Sequence, residues 1–283
     1  QNSGRDFRVS GSNLFFTQYV YESGSSKYYL KKYDGSSIST LVTESKHFGN
    51  PILHDNKIYW NYSDYSNGNN TYTLKYYDIT NNSTGGGSSN EKITISNGSL
   101  YGPVVLGSKL VYYIQYWSSD SKSKIVAYDG SSFSTLVSSS NAGGYIAYNS
   151  LFDEYQNRLL WSASSSGSSG NFKLYAYDGS SVYEPQNTST PPTKLATKTT
   201  SGGTGSNKVI GSASESNDIF YYFIKDNSAS SSNYQLWSYT IAAPAFETGY
   251  PVASNISKEN FEIKVKTDKA GKVYYVVLSD GAT

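Results

Sequence analysis

The chain has 283 residues, of which 16% are charged and 16% aromatic, and its formal net charge is +1. This balance leaves no basic surface for nucleic acid and no Lys/Arg cluster for a membrane surface or a phosphate group. The longest apolar runs have the length of strands, so we expect no membrane span. The absence of Cys excludes disulfides and thiol chemistry.

Tyrosine is the most frequent aromatic residue, with 29 copies in a chain rich in Ser, Gly, Thr and Asn. Tyr and Thr favour strands, whereas Gly, Asn and Ser favour turns. The sequence contains no Met and starts at Gln1, which we interpret as a secreted protein without its signal peptide. The composition therefore predicts an exported all-β protein.

Five repeats follow one another along the chain, and each can be aligned on a Tyr near the end of a strand pattern. These tyrosines lie 44 to 62 residues apart, at Tyr33, Tyr77, Tyr128, Tyr177 and Tyr239. Each aligned strand follows two earlier ones, and a Ser/Gly/Asn loop separates the second strand from the third. The predicted first strands are 7–11, 51–55, 103–107, 145–149 and 208–214; the second strands are 13–20, 57–63, 109–117, 158–164 and 218–224.

A fourth short strand follows the aligned Tyr in the first four repeats, at 39–42, 92–95, 134–137 and 193–196. The fifth repeat lacks a clear fourth strand, and we expect the N-terminal NSGRDF to supply it. Four short strands in about 40–50 residues are typical of a β-propeller blade. We therefore predict an all-β propeller of four-stranded blades, with five blades over residues 1–243.

The repeated turn has a structural explanation. YDGSSISTLV at 33–42 returns as YDGSSFSTLV at 128–137, and a third copy starts at Tyr177. Asp-Gly between two strands is a strong hairpin signal, because both residues tolerate positive φ. One Asp flanked by serines offers too few oxygen ligands for calcium. The motif predicts the turn between the third and fourth strands of a blade.

The last part of the chain has a different character. Residues 244–283 contain FEIKVKTD and GKVYYVVLSDG, which predict two alternating strands joined by Lys-Ala-Gly. The phrase AGKVYYVVLSDGA resembles the modules with immunoglobulin-like or fibronectin-like folds in surface proteins of Gram-positive bacteria. The resemblance implies a linker and a partial β-sandwich module, and downstream domains of a longer chain. Alternatively, the tail packs on the propeller or pairs with another subunit.

The repeats themselves resemble bacterial extracellular β-propellers of unknown function. Tyr-Asp turns that precede a Thr-Leu strand carry this resemblance, which covers residues 5–241. It implies an extracellular or cell-surface setting and assigns no activity.

Few residues offer catalytic chemistry. A His-based metal site or a Ser-His-Asp triad would need one of the two histidines, and His54 lies in a predicted turn. A glycosidase would need two carboxylates at a fixed separation. The acidic candidates lie in predicted turns and loops: Asp55, Asp153, Glu154, Glu215 and Asp218. We expect no catalytic residues, no metal and no cofactor.

A binding surface is the better prediction. Loops between blades and loops between second and third strands share one face of a propeller. The loops between blades place Phe48, Tyr101 and Tyr145 beside glycines, and aromatic faces stack well on sugar rings. Tyr65, Trp117 and His47 extend the candidate ligand-binding set. Aromatic residues that fill the contacts between blades are the alternative explanation of this pattern.

The sequence thus predicts a non-catalytic binding or adhesion module of a bacterial surface protein, with a polysaccharide or other glycan as its partner. A structural subunit of a surface layer or filament is the alternative, because an unpaired C-terminal strand can add to the sheet edge of a neighbour. A glycan-active hydrolase is the third, least favoured, interpretation.

Overall fold

A computed structural model describes residues 3–22, 24–117, 123–147, 150–167, 170–201, 208–216, 219–226, 231–240, 248, 252–254 and 262–266. The chain divides into two compact units, residues 1–239 and residues 240–283. Strands are the main secondary structure of the first unit. Within the described ranges no helix is long and apolar enough to cross a membrane.

Five antiparallel sheets form the described part of the first unit. Sheet 1 contains β1 (Ser3–Ser10), β2 (Asn13–Glu22), β3 (Ser25–Tyr33) and β4 (Ile38–Glu44). Sheet 2 contains β5 (Gly49–His54), β6 (Lys57–Ser66), β7 (Asn69–Asp78), β8 (Ser83–Gly86) and β9 (Lys92–Ser96). Sheet 3 contains β10 (Gly98–Leu106), β11 (Lys109–Tyr116), β12 (Lys124–Tyr128) and β13 (Phe133–Val137).

Two further sheets follow. Sheet 4 contains β14 (Phe152–Tyr155), β15 (Arg158–Ala163), β16 (Lys173–Tyr177) and β17 (Val182–Tyr183). Sheet 5 contains β18 (Thr193–Ser201), β19 (Lys208–Ser216), β20 (Ile219–Asp226) and β21 (Ser231–Tyr239). Two short 3₁₀ helices, Ser89–Glu91 and Pro185–Asn187, lie in connections.

The core lies between successive sheets. The innermost strands of sheets 1 to 4 contact one another in order, and β19 contacts β15 and β16. Phe15 and Leu30 of sheet 1 pack with Trp60 of sheet 2, and Val111 of sheet 3 packs with Trp161 of sheet 4. Aromatic and β-branched side chains fill both faces of each inner sheet, which explains why these strands are apolar on both sides.

The Tyr-Asp motif forms the turn between third and fourth strands. In the third sheet Asp129 Oδ1 accepts hydrogen bonds from the N–H groups of Ser131 and Ser132, at 2.9 and 3.0 Å, and from the Ser131 hydroxyl at 2.7 Å. The Tyr128 hydroxyl donates to the carbonyl of Gly130. Asp34 and Asp178 make the same backbone contacts. The motif therefore stabilises a turn, and one oxygen of its carboxylate accepts the hydrogen bonds of the turn itself.

The fourth strand of sheet 2 differs from the prediction. Residues 92–95 were expected to form it alone, but β8 and β9 both pair with the ten-residue β7. β8 covers Lys75–Asp78 and β9 covers Asn69–Thr73, with the 3₁₀ helix between them. A capping box of Ser88 and Glu91 begins that helix. The predicted Gly/Ser loop therefore contains a 3₁₀ helix that connects β8 to β9, and these two short strands together form the outer edge of sheet 2.

The predicted fourth strand of the fourth repeat belongs to another sheet. β18, which includes residues 193–196, pairs with β21 of sheet 5, whereas the outer strand of sheet 4 is the two-residue β17. Pro185 explains the short strand, because Ala176 pairs with Tyr183 and a proline two residues later has no N–H for the next bonds to β16. The chain therefore leaves sheet 4 after β17 and forms β18, the outer strand of sheet 5, before the other three strands of that sheet.

The N-terminal segment also has a different role from the one predicted. Ser3–Ser10 pairs with β2 as the innermost strand of sheet 1, so NSGRDF does not complete the fifth repeat.

In sheet 4 the prediction of a first strand at 145–149 is wrong, because that strand is Phe152–Tyr155 and Tyr145 makes only an isolated bridge to Ser164. An insertion at this place replaces the one-residue bulge that β1, β5, β10 and β19 share.

The second unit is described only in part. Val252–Ser254 pairs with Glu262–Lys264, with Ala253 opposite Ile263, so one strand lies within the predicted FEIKVKTD. The predicted strand at 271–281 lies outside the described residues, and the likeness to a sandwich module stays a prediction.

The Tyr-Asp turn predicts a defined acid response. Hydrogen bonds from the Ser131 hydroxyl and from the N–H groups of Ser132 and Ser131 lower the pKa of Asp129 from 3.8 to about 2. A lowered folded-state pKa stabilises the fold above pH 3.8, and this contribution is lost as the pH falls toward about 2. Asp129→Asn should therefore flatten the pH dependence of the free energy of unfolding in that window, measured by urea titrations. An equally steep dependence in the variant would contradict this role, and Glu22→Gln, at an exposed position at the end of β2, is the control.

Candidate binding surface

The six candidate residues do not form one continuous rim. Phe48 is only 2% exposed, and its ring packs edge-on against Trp60 with 5.1 Å between ring centroids. It belongs to the core between sheets 1 and 2. A buried ring offers no face to a ligand, so the placement of Phe48 corrects the predicted rim.

Tyr101 and Tyr145 are half-buried and have internal partners. Tyr101 stacks on Tyr113, with ring centroids 5.1 Å apart and planes 24° from parallel. The Tyr145 hydroxyl accepts a hydrogen bond from the side-chain amide of Gln115. Tyr145 therefore bonds to sheet 3, and Tyr101 also packs against the buried cluster that sheets 3 and 4 share. Neither ring presents a fully open face.

Tyr65 and Trp117 are exposed and lie side by side. Their exposed fractions are 64% and 53%, their ring centroids are 6.2 Å apart and their planes are inclined by 39°. Tyr65 lies near the end of β6 and Trp117 directly follows β11. The pair, called here the aromatic platform, therefore spans two neighbouring sheets.

Asn97 holds the two sides of the platform together. It lies between β9 and β10 with φ +50°. Its N–H donates to the carbonyl of Gly68 at 3.0 Å, and its carbonyl accepts the N–H of Trp117 at 2.7 Å. The Trp117 indole N–H donates to the Ser99 hydroxyl at 3.2 Å. These bonds connect the turn at the end of sheet 2 with the end of β11, so the indole is fixed at its backbone and at its ring.

The turn beside Tyr65 and the start of β10 are also tied together. Asn67 and Gly68 have φ values of 51° and 79°, the left-handed conformation that an Asn-Gly hairpin requires. The buried Asn70 amide donates to the carbonyl of Gly98 at 2.8 Å. A Cβ on Gly98 would lie 2.8 Å from the backbone oxygen of Gln115 within sheet 3 and 2.9 Å from the Ile95 side chain of sheet 2. Both close approaches therefore require glycine.

His47 lies in a separate, charged region between sheets 1 and 2. Its imidazole is exposed and packs edge-on against Tyr28, with 5.4 Å between ring centroids. The neighbouring Lys46 forms an ion pair with Asp64 and lies 4.6 Å from the centre of the Tyr62 ring. The hydrogen bond from Lys46 to Asp64 raises the pKa of the lysine. Lys46, Tyr62 and Asp64 were not predicted, because their contacts join residues far apart in sequence.

The acidic candidates do not assemble a catalytic pair in the part of the chain that the structure describes. Asp153 lies on β14, where burial raises its pKa and the N–H of Glu154 donates to it at 2.9 Å. No second carboxylate contributes to that shift. Asp55 is in a turn with φ +46°, after His54 at the end of β5, and Glu215 is exposed; Asp218 lies outside the described residues.

No group of three or more His, Cys, Asp or Glu side chains that could hold an ion occurs among the residues described. The aromatic platform, with two exposed rings in contact, is the candidate surface for a ligand among the described residues.

Comparisons with known proteins identify the architecture. No protein-family model matches the chain, and no curated protein matches its sequence. Among solved structures, the β-propeller domain of the Trilobed protease from Pyrococcus furiosus has a TM-score of 0.50 at 12% identity, over 78% of this chain and 64% of that one. The first unit has a β-propeller fold. A structure from a study of two prolyl endopeptidases also has a TM-score of 0.50, at 10% identity, over 98% of this chain.

The chain spans 64% of the length of the first of these structures and 43% of the second. Identities of 10–12% show a common fold, and the activities of those enzymes depend on sites that must be sought separately in this chain.

Asn97 provides a test of how the platform is built. Asn97→Ala should lower the free energy of unfolding by about 1–2 kcal/mol, because alanine is strained at positive φ. It should also shift the emission of the tryptophans, since the N–H of Trp117 bonds to this residue. Asn97→Gly is the matched control and should keep both properties, because glycine adopts this conformation freely. Equal effects of the two substitutions, measured by urea unfolding and fluorescence, would contradict this account.

Proposed function

We propose that this chain is a non-catalytic extracellular binding module that holds an uncharged polysaccharide on the Tyr65–Trp117 platform. The observation that carries the proposal is the pair of exposed rings, 64% and 53% exposed, held 6.2 Å apart across two sheets. Contiguous exposed apolar surface on a folded protein often marks a binding site.

The chemistry around the platform suits sugar rings. A pyranose presents one apolar face of C–H groups, which packs on an aromatic ring, and hydroxyls around its edge that need hydrogen-bonding partners. Exposed Ser66 and Asn67 follow Tyr65 in the chain, and exposed Ser96 precedes Asn97, whose carbonyl accepts the N–H of Trp117. These side chains supply such partners. Two rings at this separation suit two successive sugars of one chain.

Charge supports an uncharged ligand. Asp64, next to Tyr65 in the chain, forms an ion pair with Lys46, and only 16% of all residues are charged. Acidic polymers need Arg or Lys for strong binding. The extracellular setting is proposed from the resemblance of the Tyr-Asp repeats to exported propellers.

The aromatic platform can be tested with a panel of soluble dextran, β-glucan, xylan and mannan in affinity gel electrophoresis. At least one of these polymers should retard the protein. Tyr65→Ala and Trp117→Ala should each weaken that binding up to about tenfold, the effect of losing a ring contact of about 0.5–1.5 kcal/mol.

Tyr33→Ala is the matched control, because Tyr33 is also exposed, at 39%, but lies at the end of β3 opposite the β2–β3 hairpin, where it pairs with Leu14. Failure of every polymer to retard the protein, or unchanged retardation of the Tyr65/Trp117 double variant, would refute the proposal.

A further inference from the structure

Sheets 2, 3 and 4 each pack one face on the sheet before them and the other face on the sheet after them. We call these the leading face and the trailing face. The leading face of sheet 2 includes Ile58 and Trp60, which pack with Phe15 and Leu30 on the trailing face of sheet 1. The same arrangement recurs at the later contacts, so equivalent positions can be compared from sheet to sheet.

The leading positions are buried in four sheets. On the second strand the first equivalent position holds Ile58, Leu110, Leu159 and Phe220, each no more than 1% exposed. Two residues later the position holds Trp60, Tyr112, Trp161 and Tyr222, each no more than 2% exposed. An apolar side chain at these positions therefore indicates a surface that packs against a trailing face.

Sheet 1 has apolar residues at the same positions and leaves them uncovered. Leu14 and Phe16 are only half-buried, and Tyr33 is 39% exposed where Tyr128 is 2% exposed. Val9, Leu14, Tyr33 and Ile38 form one row across the four strands. Val9 and Ile38, at its two ends, are 67% and 61% exposed.

The next row of the same face is similar. Phe7 is 58% exposed and its ring centroid lies 6.0 Å from that of Phe16. The leading face of sheet 1 thus carries exposed apolar side chains in two adjacent rows across its strands, and contiguous exposed apolar surface often marks an interaction site.

The trailing face of sheet 5 also has exposed apolar residues at positions that are buried in the other sheets. The third strand of the first four sheets has Leu30, Leu74, Ile125 and Leu174 at one trailing position, each no more than 1% exposed. The equivalent residue of sheet 5, Leu236, is only half-buried. Its cross-strand partner Phe223 is 48% exposed, and Tyr234 beside them is 38% exposed.

From this pattern we propose that the leading face of sheet 1 binds the trailing face of sheet 5 of a second copy of this chain. The two open faces are the two halves of a contact that the molecule already makes between its own sheets, which is why a second copy is the partner they fit. Such a contact uses two different surfaces, so it joins copies head to tail and generates rings or filaments.

Sedimentation velocity of the full chain over a wide range of concentration tests the proposal. The wild type should form species larger than a monomer, in proportions that rise with concentration. Ile38→Lys on the leading face and Phe223→Lys on the trailing face should each abolish these species, because a buried unpaired lysine is costly. Tyr21→Lys, an exposed tyrosine outside both faces, should assemble like the wild type. Circular dichroism checks that the variants fold, which their exposed positions favour.

Mixing the two variants gives a sharper result. Ile38→Lys keeps an intact trailing face and Phe223→Lys keeps an intact leading face, so an equimolar mixture should form a dimer of one copy of each and nothing larger. A wild type that stays monomeric at every concentration would overturn the proposal, as would assembly that survives either substitution. Glycan binding at Tyr65 and Trp117 does not enter this experiment, so the two proposals fail independently.

Discussion

Burial of apolar rows between neighbouring sheets is the interaction on which this structure depends. A four-stranded sheet of this size cannot bury both of its apolar faces by itself, and each face gains a cover only when the next repeat folds against it. Trp60 and Trp161 occupy equivalent places in two of these contacts, at 2% and 0% exposure. The apolar content of the strands, the repeat length and the aromatic composition all follow from that requirement.

Hydrogen-bonded turns determine where the strands end and so keep the apolar rows of neighbouring sheets in place. The Tyr-Asp turns close the outer hairpins with side-chain acceptors, and left-handed Asn or Gly residues make the tight turns at inner hairpins. Asn97 does the same between two sheets, where its backbone bonds to both Gly68 and Trp117. The aromatic platform is a consequence of this connection, because the strands of sheets 2 and 3 end together beyond the core.

Sheets 1 and 5, at the two ends of the row of sheets, each keep one apolar face that is exposed. An inner sheet has neighbours on both sides, whereas the leading face of sheet 1 and the trailing face of sheet 5 retain the apolar pattern without the cover. Phe223 and Ile38, at 48% and 61% exposure, are the clearest cases. A repeat protein must either cap such faces with polar residues or use them for association, and the retained apolar residues favour association.

The sequence by itself determined the repeat, the four-strand pattern and the Tyr-Asp turns, because these depend on residues close together in the chain. It also singled out Tyr65 and Trp117 as members of a larger aromatic set. Only the tertiary structure decided that Phe48 is core and that β18 joins sheet 5, since the strand pattern of residues 193–196 suits the edge of either sheet. The physical reason is the same in both cases. The local sequence determines that a segment forms a strand or that a ring is apolar, but the partner of that strand or ring depends on which surface lies against it after folding.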